Sequence, residues 1–474
     1  MQAGTEVTPG DVSWILTSSA LVWIMIPAVG LIYSGSSTRQ SALSMLWLSL
    51  TSLSIVTFQW WLWGYSLAFS RTSKSSMIGD MNNVVLLNVM NSLSASEIQA
   101  PELAFAVYQG MFAAFTMAVV AAATAQRGRT VPFMVFTFLW TTLVYDFIVF
   151  WSWNNNGWLN TLGSLDWAGG SPVHISSGAA SLAYSLVLGP RYDQTQSQDI
   201  FHILLGSLLL WFGWFGFNAG TALRANLRAF VAFLNTNLAA SCGGLTWVLM
   251  DRFFGRRFRK NVGHWSLAGF MSGAVAGLVC ITPGAGYVPP WSSPIFGLAA
   301  ALVCNSWTSL TIFIEKRFSD STDPDGKVKK PKHMEGLISR FMRRYDDPFE
   351  VFAIHAIGGL LGLFLTGIFA SNEIVALDPG AKIDPKGMGV IDHNSKRLGY
   401  QIVDGLACFS WSFFMTLIIV LIMDRIPGLS LRYTGTKGDE NCLDEYEFGT
   451  VERLTNPRTP DGFIEHDSTN DVSV

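Results

Sequence analysis

The sequence predicts an all-α integral membrane protein: eleven transmembrane helices, arranged as two inverted five-helix repeats plus a final helix, with the N-terminus outside and the C-terminus inside. Three observations carry this prediction. Charge is scarce, the charges present leave long gaps, and one spacing of polar residues recurs in the two halves of the chain. Only 14% of the 474 residues are charged and 50% are hydrophobic, whereas a soluble surface needs roughly a quarter to a third of its residues charged. There are too few charges to coat several soluble globules.

The gaps define the elements in order. Val12 to Thr38, Gln40 to Ser70 and Leu103 to Gln126 contain no Lys, Arg, Asp or Glu, and a fourth stretch, residues 130–153, carries only Asp146. Trp167 to Pro190, Phe201 to Leu223 and Ala229 to Met250 are again uncharged. Each is long enough to cross a hydrocarbon core of about 30 Å, which takes about 20 helical residues. Asn261 to Ile314 is uncharged for 54 residues, and the breakers Thr282-Pro283-Gly284-Ala285-Gly286 and Pro289-Pro290 divide it into two crossings. Val351 to Asn372 is the tenth crossing, and residues 398–423, with Asp404 as their one charge, are the eleventh.

Orientation follows from the basic residues, which are retained on the cytoplasmic side during insertion. With the N-terminus outside, the inner loops hold 18 Lys and Arg and the outer loops 8. The largest inner group lies in the loop 315–348, and five more basic residues follow position 424. An odd number of spans then places the C-terminus inside. Residues 1–424 form the membrane domain and 425–474 a cytosolic tail. The basic loop is suited to anionic lipid headgroups, although such a cluster is commonly just the topological signal. Residues 1–35 lack a basic n-region and read as a full span rather than a cleavable signal.

Several function classes are disfavoured. A net charge of −3 gives no sign of nucleic-acid binding. There is no GxxxxGK[ST] phosphate loop and no HExxH, and no two of the seven His are four apart. Neither an enzyme nor a cofactor or metal is expected. The five Cys show no zinc spacing, and none is expected in a disulfide.

Two histidines lie inside predicted spans, where ionisable groups are costly and default to functional candidates. His174 follows Asp166 by eight residues, with Pro172 between and Gly178 four residues on. His355 follows Asp347 by eight, with Pro348 between and Gly359 four residues on. The recurrence at spans five and ten is what an inverted repeat leaves behind. Each His lies about two helical turns, roughly 12 Å, from its Asp, which lets both reach mid-membrane.

With these residues in place, the sequence resembles the ammonium transporter, methylammonium permease and Rhesus superfamily, and more closely its fungal ammonium permeases. The resemblance covers residues 12–450. It is carried by Asp166-Trp-Ala-Gly-Gly with His174, Trp214-Phe-Gly-Phe217-Asn-Ala-Gly-Thr221, Tyr108-Gln-Gly-Met-Phe112, Thr282-Pro-Gly-Ala-Gly286 and Asp346-Asp-Pro with His355. It implies a plasma-membrane homotrimer with one pore per subunit, moving ammonium and methylammonium.

The resemblance also assigns roles. Trp153, Tyr108 and Thr221 match an outer recruitment site, where an indole face attracts a cation and hydroxyl oxygens accept its protons. Phe112 and Phe217 match a stacked pore gate, and a dry constriction opposes a hydrated ion. For His174 and His355 the role expected from their place inside the spans is a twin-histidine proton relay. Desolvation lowers an ammonium pKa from about 10 toward the imidazole range, so ammonia and its proton are expected to travel separately, carrying one net charge inward.

Asp166, just before the Gly169-Gly170-Ser171-Pro172 entry to span five, reads as structural support that caps backbone donors. Asp146 either tunes the field near the conduit or is a satisfied interhelical acid, and Phe147 stands where many relatives have Pro. The segment 439–449 resembles a regulatory tail, a candidate partner of inner loops and of a cytosolic kinase or regulatory protein. Two alternatives to electrogenic uptake are an ammonium sensor signalling through the cytosolic parts and an electroneutral ammonia channel.

Overall fold

The computed structural model describes residues 7–94, 100–191, 199–253, 264–319, 344–381, 383–433 and 443–449. Residues 320–343, most of the basic loop 315–348, and the tail residues 434–442 and 450–474 lie outside them. Among the described residues the architecture is helical, with two isolated bridges, Leu93 to Pro101 and Gly128 to Arg432, and no extended strand.

Helix α1 (Pro9–Ser36) opens with a reciprocal cap: the Thr8 side chain accepts from the Asp11 amide, and Asp11 accepts from the Thr8 amide. Helix α2 (Arg39–Phe69) widens to a π turn at Trp60–Gly64. Helix α3 (Glu102–Thr124) tightens at its end to a 3₁₀ turn. Helix α4 runs from Thr130–Trp140 through a π turn at Thr141–Tyr145 into Asp146–Trp153. Helix α5 begins as a π turn, Gly170–Ile175, and continues as Ser176–Leu188.

Helices α6 (Ile200–Gly220), α7 (Leu227–Phe253), α8 (Leu267–Ile281) and α9 (Ser293–Ser319) follow. The Thr282–Gly286 and Pro289–Pro290 breakers separate α8 from α9, as their residue types demand. Helix α10 repeats the pattern of α5, a π turn at Phe352–Ile357 leading into Gly358–Phe369. Helix α11 spans Lys396–Met423, and a short helix α12 covers Leu443–Phe448. Among the described residues, eight helical segments are long and apolar enough to cross a membrane.

Small residues set the packing, as expected where lipid is as apolar as the helix faces and close backbone contact drives association. Helix α6 lies against α1 along Gly206, Gly213, Gly216 and Gly220, which face Ala28, Met25, Leu21 and Ser18 in turn. Helices α7 and α8 touch through Gly243, Gly273 and Gly277. A hydrophobic core contains Trp140, Trp214, Phe112, Phe115 and Tyr145, each fully buried.

The acid left open by the sequence, Asp146, is 0% exposed and accepts from Gln59 Nε2 at 2.8 Å. The same amide donates to Thr142 Oγ1 at 3.0 Å, which also receives the Trp63 indole N–H. Asp146 thus links α4 to α2 through one carboxyl oxygen, while its Oδ1 is buried without a hydrogen-bond partner among the described residues, so it is an interhelical acid only half satisfied. Phe147 turns away from this cluster and packs on Trp411 of α11, ring centres 5.5 Å apart.

Candidate functional site

The eight-residue spacing acquires a geometry. The Asp166 carboxylate accepts three backbone N–H groups, from Gly169 (2.9 Å), Gly170 (2.7 Å) and Ser171 (2.7 Å), at the start of the α5 π turn. Asp347 does the same for α10, accepting from Phe352 (2.8 Å) and Ala353 (3.1 Å). Helix starts leave such donors without partners, and a carboxylate placed there satisfies several together. Each cap stabilises a π turn, and each π turn carries a histidine.

Those histidines meet. His174 Nδ1 and His355 Nδ1 lie 3.1 Å apart, with His174 fully buried and His355 6% exposed. The glycines four residues on make this approach possible. A Cβ on Gly178 would sit 2.4 Å from the Ala356 nitrogen, and one on Gly359 would sit 2.9 Å from Ile175 Cγ1. His174 Nε2 is buried without a hydrogen-bond partner among the described residues.

A ladder of rings leads to the pair. Phe112 and Phe217 stack at 4.0 Å and 25°, Phe217 lies 6.0 Å from His174, and Trp214 stacks on His174 at 5.3 Å and 21°. The Trp214 indole N–H donates to Thr282 Oγ1 at 3.0 Å, which fixes the ring. Trp214 and Phe115 had no role in the sequence reading. The signal was there, since Trp214 precedes Phe217 by three residues on one helix and so shares its face.

On the other side of the stacked phenyls lie the remaining predicted residues. Tyr108 is 4.9 Å from Phe112, and Trp153 is 6.0 Å from Phe112, ring centre to ring centre. The Tyr108 hydroxyl reaches the carbonyls of Phe217 (2.8 Å) and Gly216 (2.9 Å) and the Thr221 hydroxyl (3.2 Å). Thr221 donates to the Phe217 carbonyl at 2.9 Å. Both hydroxyl protons therefore have carbonyl acceptors, which leaves oxygen lone pairs to accept from a cation. The Trp153 indole donates to the Asp166 carbonyl at 2.9 Å, so the same aspartate orients the indole by its backbone and the His174 turn by its side chain.

Beyond the histidines, a cavity of about 480 Å³ is lined by Phe115, Val119, Tyr33, Phe349 and His355 and extends to Asp251 and Asp346. Asp346 stands at its rim between two arginines, 3.3 Å from Arg127 and 3.0 Å from Arg191. Burial pushes its carboxyl upward, but the two guanidiniums outweigh this and hold it below the usual carboxylate range.

Residues 13–452 match the description Ammonium Transporter Family. The chain belongs to that family. Among relatives in this transporter family, "Ammonium transporter 1" of Schizosaccharomyces pombe is 46% identical over 93% of this chain and 81% of its own length. "Ammonium transporter MEP2" of Saccharomyces cerevisiae is 40% identical, covering 94% and 82% of the two chains. The crystal structure of Candida albicans Mep2 superposes with a TM-score of 0.79 at 38% identity, covering 95% of each chain. The extent of these matches means that the likeness spans the whole helical domain of this ammonium-transporter-family chain, including both histidine turns.

Proposed function

We propose that this protein is a plasma-membrane ammonium transporter with eleven crossings, N-terminus out and C-terminus in. The domain 1–424 holds the conduit, the tail 425–474 is cytosolic and regulatory, and the working unit is a homotrimer. The observation that carries the reading is the stacked Phe112–Phe217 pair standing directly before the His174–His355 pair. In this reading α1–α5 and α6–α10 are the inverted repeats, and α11 is the added helix.

Ammonium, or methylammonium, is recruited at Trp153, Tyr108 and Thr221. The indole face contributes about 0.5–2 kcal/mol to holding a cation, and the two hydroxyl oxygens accept N–H protons. The stacked phenyls exclude a hydrated ion, because an unpaired charge in a low-dielectric passage costs many kcal/mol. Potassium has no proton to shed and is stopped there. Ammonium loses its proton and passes as ammonia.

The proton is relayed by the histidines. Two neutral imidazoles sharing one hydrogen between their Nδ1 atoms must carry opposite tautomers, so one Nε2 accepts while the other donates. A proton accepted at His174 Nε2 and released from His355 Nε2 toward the inner cavity moves one charge inward. The membrane potential then drives accumulation at about 2.3 kcal/mol per 100 mV.

The test is expression in a yeast strain lacking its own ammonium permeases. Methylammonium uptake and an ammonium-evoked inward current are expected. Uptake without current overturns the charge-carrying mechanism in favour of a neutral ammonia channel, and signalling without uptake favours the sensor.

A further inference from the structure

Helix α11 meets the entry of α5 along one polar face. Arg397 donates to the Gly163 carbonyl. Gln401 brackets Leu165, its Oε1 accepting from the Leu165 amide at 2.7 Å and its Nε2 donating to the Leu165 carbonyl at 2.6 Å. Asp404 accepts from Ser164 Oγ at 2.5 Å and from Ser171 Oγ at 2.6 Å. Ser412 donates to the Ser176 carbonyl at 2.6 Å. Steps of four, three and eight residues keep these side chains on one face of α11, and all of these partners lie between 163 and 176.

Asp404 is the unusual member. It is 0% exposed and ionisable inside a span, a combination that is costly enough to ask what it accomplishes. A purely structural role would need only some contact between α5 and α11. The contact made is more specific. Both hydroxyls that Asp404 receives belong to the segment 164–171, and Ser171 is also held through its amide by Asp166. That segment carries the carbonyl that orients the Trp153 indole and the carboxylate that caps the His174 turn.

We propose that Asp404 is a positioning residue for transport, acting with Gln401 to hold the segment 164–171 so that the recruiting face of Trp153 and the His174 ring stay in register. Two sites on opposite sides of the phenyl gate are thereby set by one carboxylate on a helix that contributes no group to either. The inference rests on the roles given to Trp153 and His174 under the proposed function.

The experiment measures ammonium KM, the ammonium-to-potassium current ratio and the pH profile of the current, each normalised to protein at the cell surface. Asp404→Ala is expected to raise KM by about tenfold or more, the scale of one lost hydrogen bond to a charged group, and to shift the pH profile. Asp404→Asn, which keeps one acceptor, is expected to fall between. Where Asp404→Ala does not reach the membrane, Ser171→Ala removes only the hydroxyl donor and should show a shift of the same sign. Wild-type KM, selectivity and pH profile in Asp404→Ala, or in Ser171→Ala if only that variant reaches the surface, overturn the proposal. Trp153→Leu and His174→Ala run alongside as controls. If those two leave KM and current unchanged, the site reading itself fails and takes the proposal with it.

Discussion

His174 and His355 are joined Nδ1 to Nδ1 at 3.1 Å, although 181 positions separate them in the chain. Neither ring can be replaced by an apolar one without breaking the shared hydrogen. His174→Ala and His355→Ala are each expected to abolish ammonium-evoked current. Voltage-clamp recording checks this, and unaltered, ammonium-selective current in the double variant sinks the relay.

Gly178→Ala is expected to remove current as completely as loss of a histidine. Its Cβ would meet the backbone nitrogen of Ala356 at 2.4 Å, and backbone cannot step aside. Gly359→Ala should be milder, since its nearest neighbour at 2.9 Å is a side-chain atom, Ile175 Cγ1, and the nearest backbone atom, the Gly170 carbonyl oxygen, lies 3.2 Å away. The ratio of current to surface protein in the two variants tests the contrast.

Trp153→Leu should raise the KM for ammonium with little change in maximal uptake. Loss of a cation–π contact of about 0.5–2 kcal/mol corresponds to about 2- to 30-fold in affinity. A concentration series of methylammonium uptake reads it directly.

Asp346→Asn should destabilise this end of the domain by about 3–5 kcal/mol, because it leaves the buried Arg127 and Arg191 without their anion. The pH dependence has a definite sign. A carboxyl held below its unfolded value contributes stability that is fully present above the ordinary carboxylate range and is lost as pH falls through the lowered value. Thermal unfolding in detergent between pH 3 and 7 should show an acid-side loss in the wild type that is weaker in Asp346→Asn.

Asp444→Ala should loosen the tail. Asp444 accepts from the Leu43 and Ser44 amides at 2.9 and 2.8 Å, and Glu447 accepts from the Thr130 amide at 3.0 Å, so α12 caps the starts of α2 and α4. A lost cap costs about 1 kcal/mol. Limited proteolysis of intact protein should cut the tail faster in the variant.

Much of the candidate site's arrangement was legible in the sequence. The Asp, Pro, His and Gly spacing marked both turns, and the structure supplies its reason: the aspartate caps, the glycine admits the facing helix. Trp214 was harder to find, because an aromatic residue on a membrane helix is usually packing; its spacing from Phe217 put it on the right face, and its stacking on His174 distinguishes it. Asp146 stayed ambiguous for a similar reason. Its partner Gln59 lies 87 residues away, and no local pattern relates them.

The order of the apolar segments, the breakers between them and the scarcity of charge within them are properties of the sequence alone, since a segment that satisfies its own backbone hydrogen bonds in lipid needs only length and composition. Which side chains face one another is different. The Nδ1 contact of the histidines, the stacking of Phe112 on Phe217 and the zipper from α11 to α5 each depend on helices brought together from distant parts of the chain. Only the tertiary packing, set by where glycines let backbones approach, decided those.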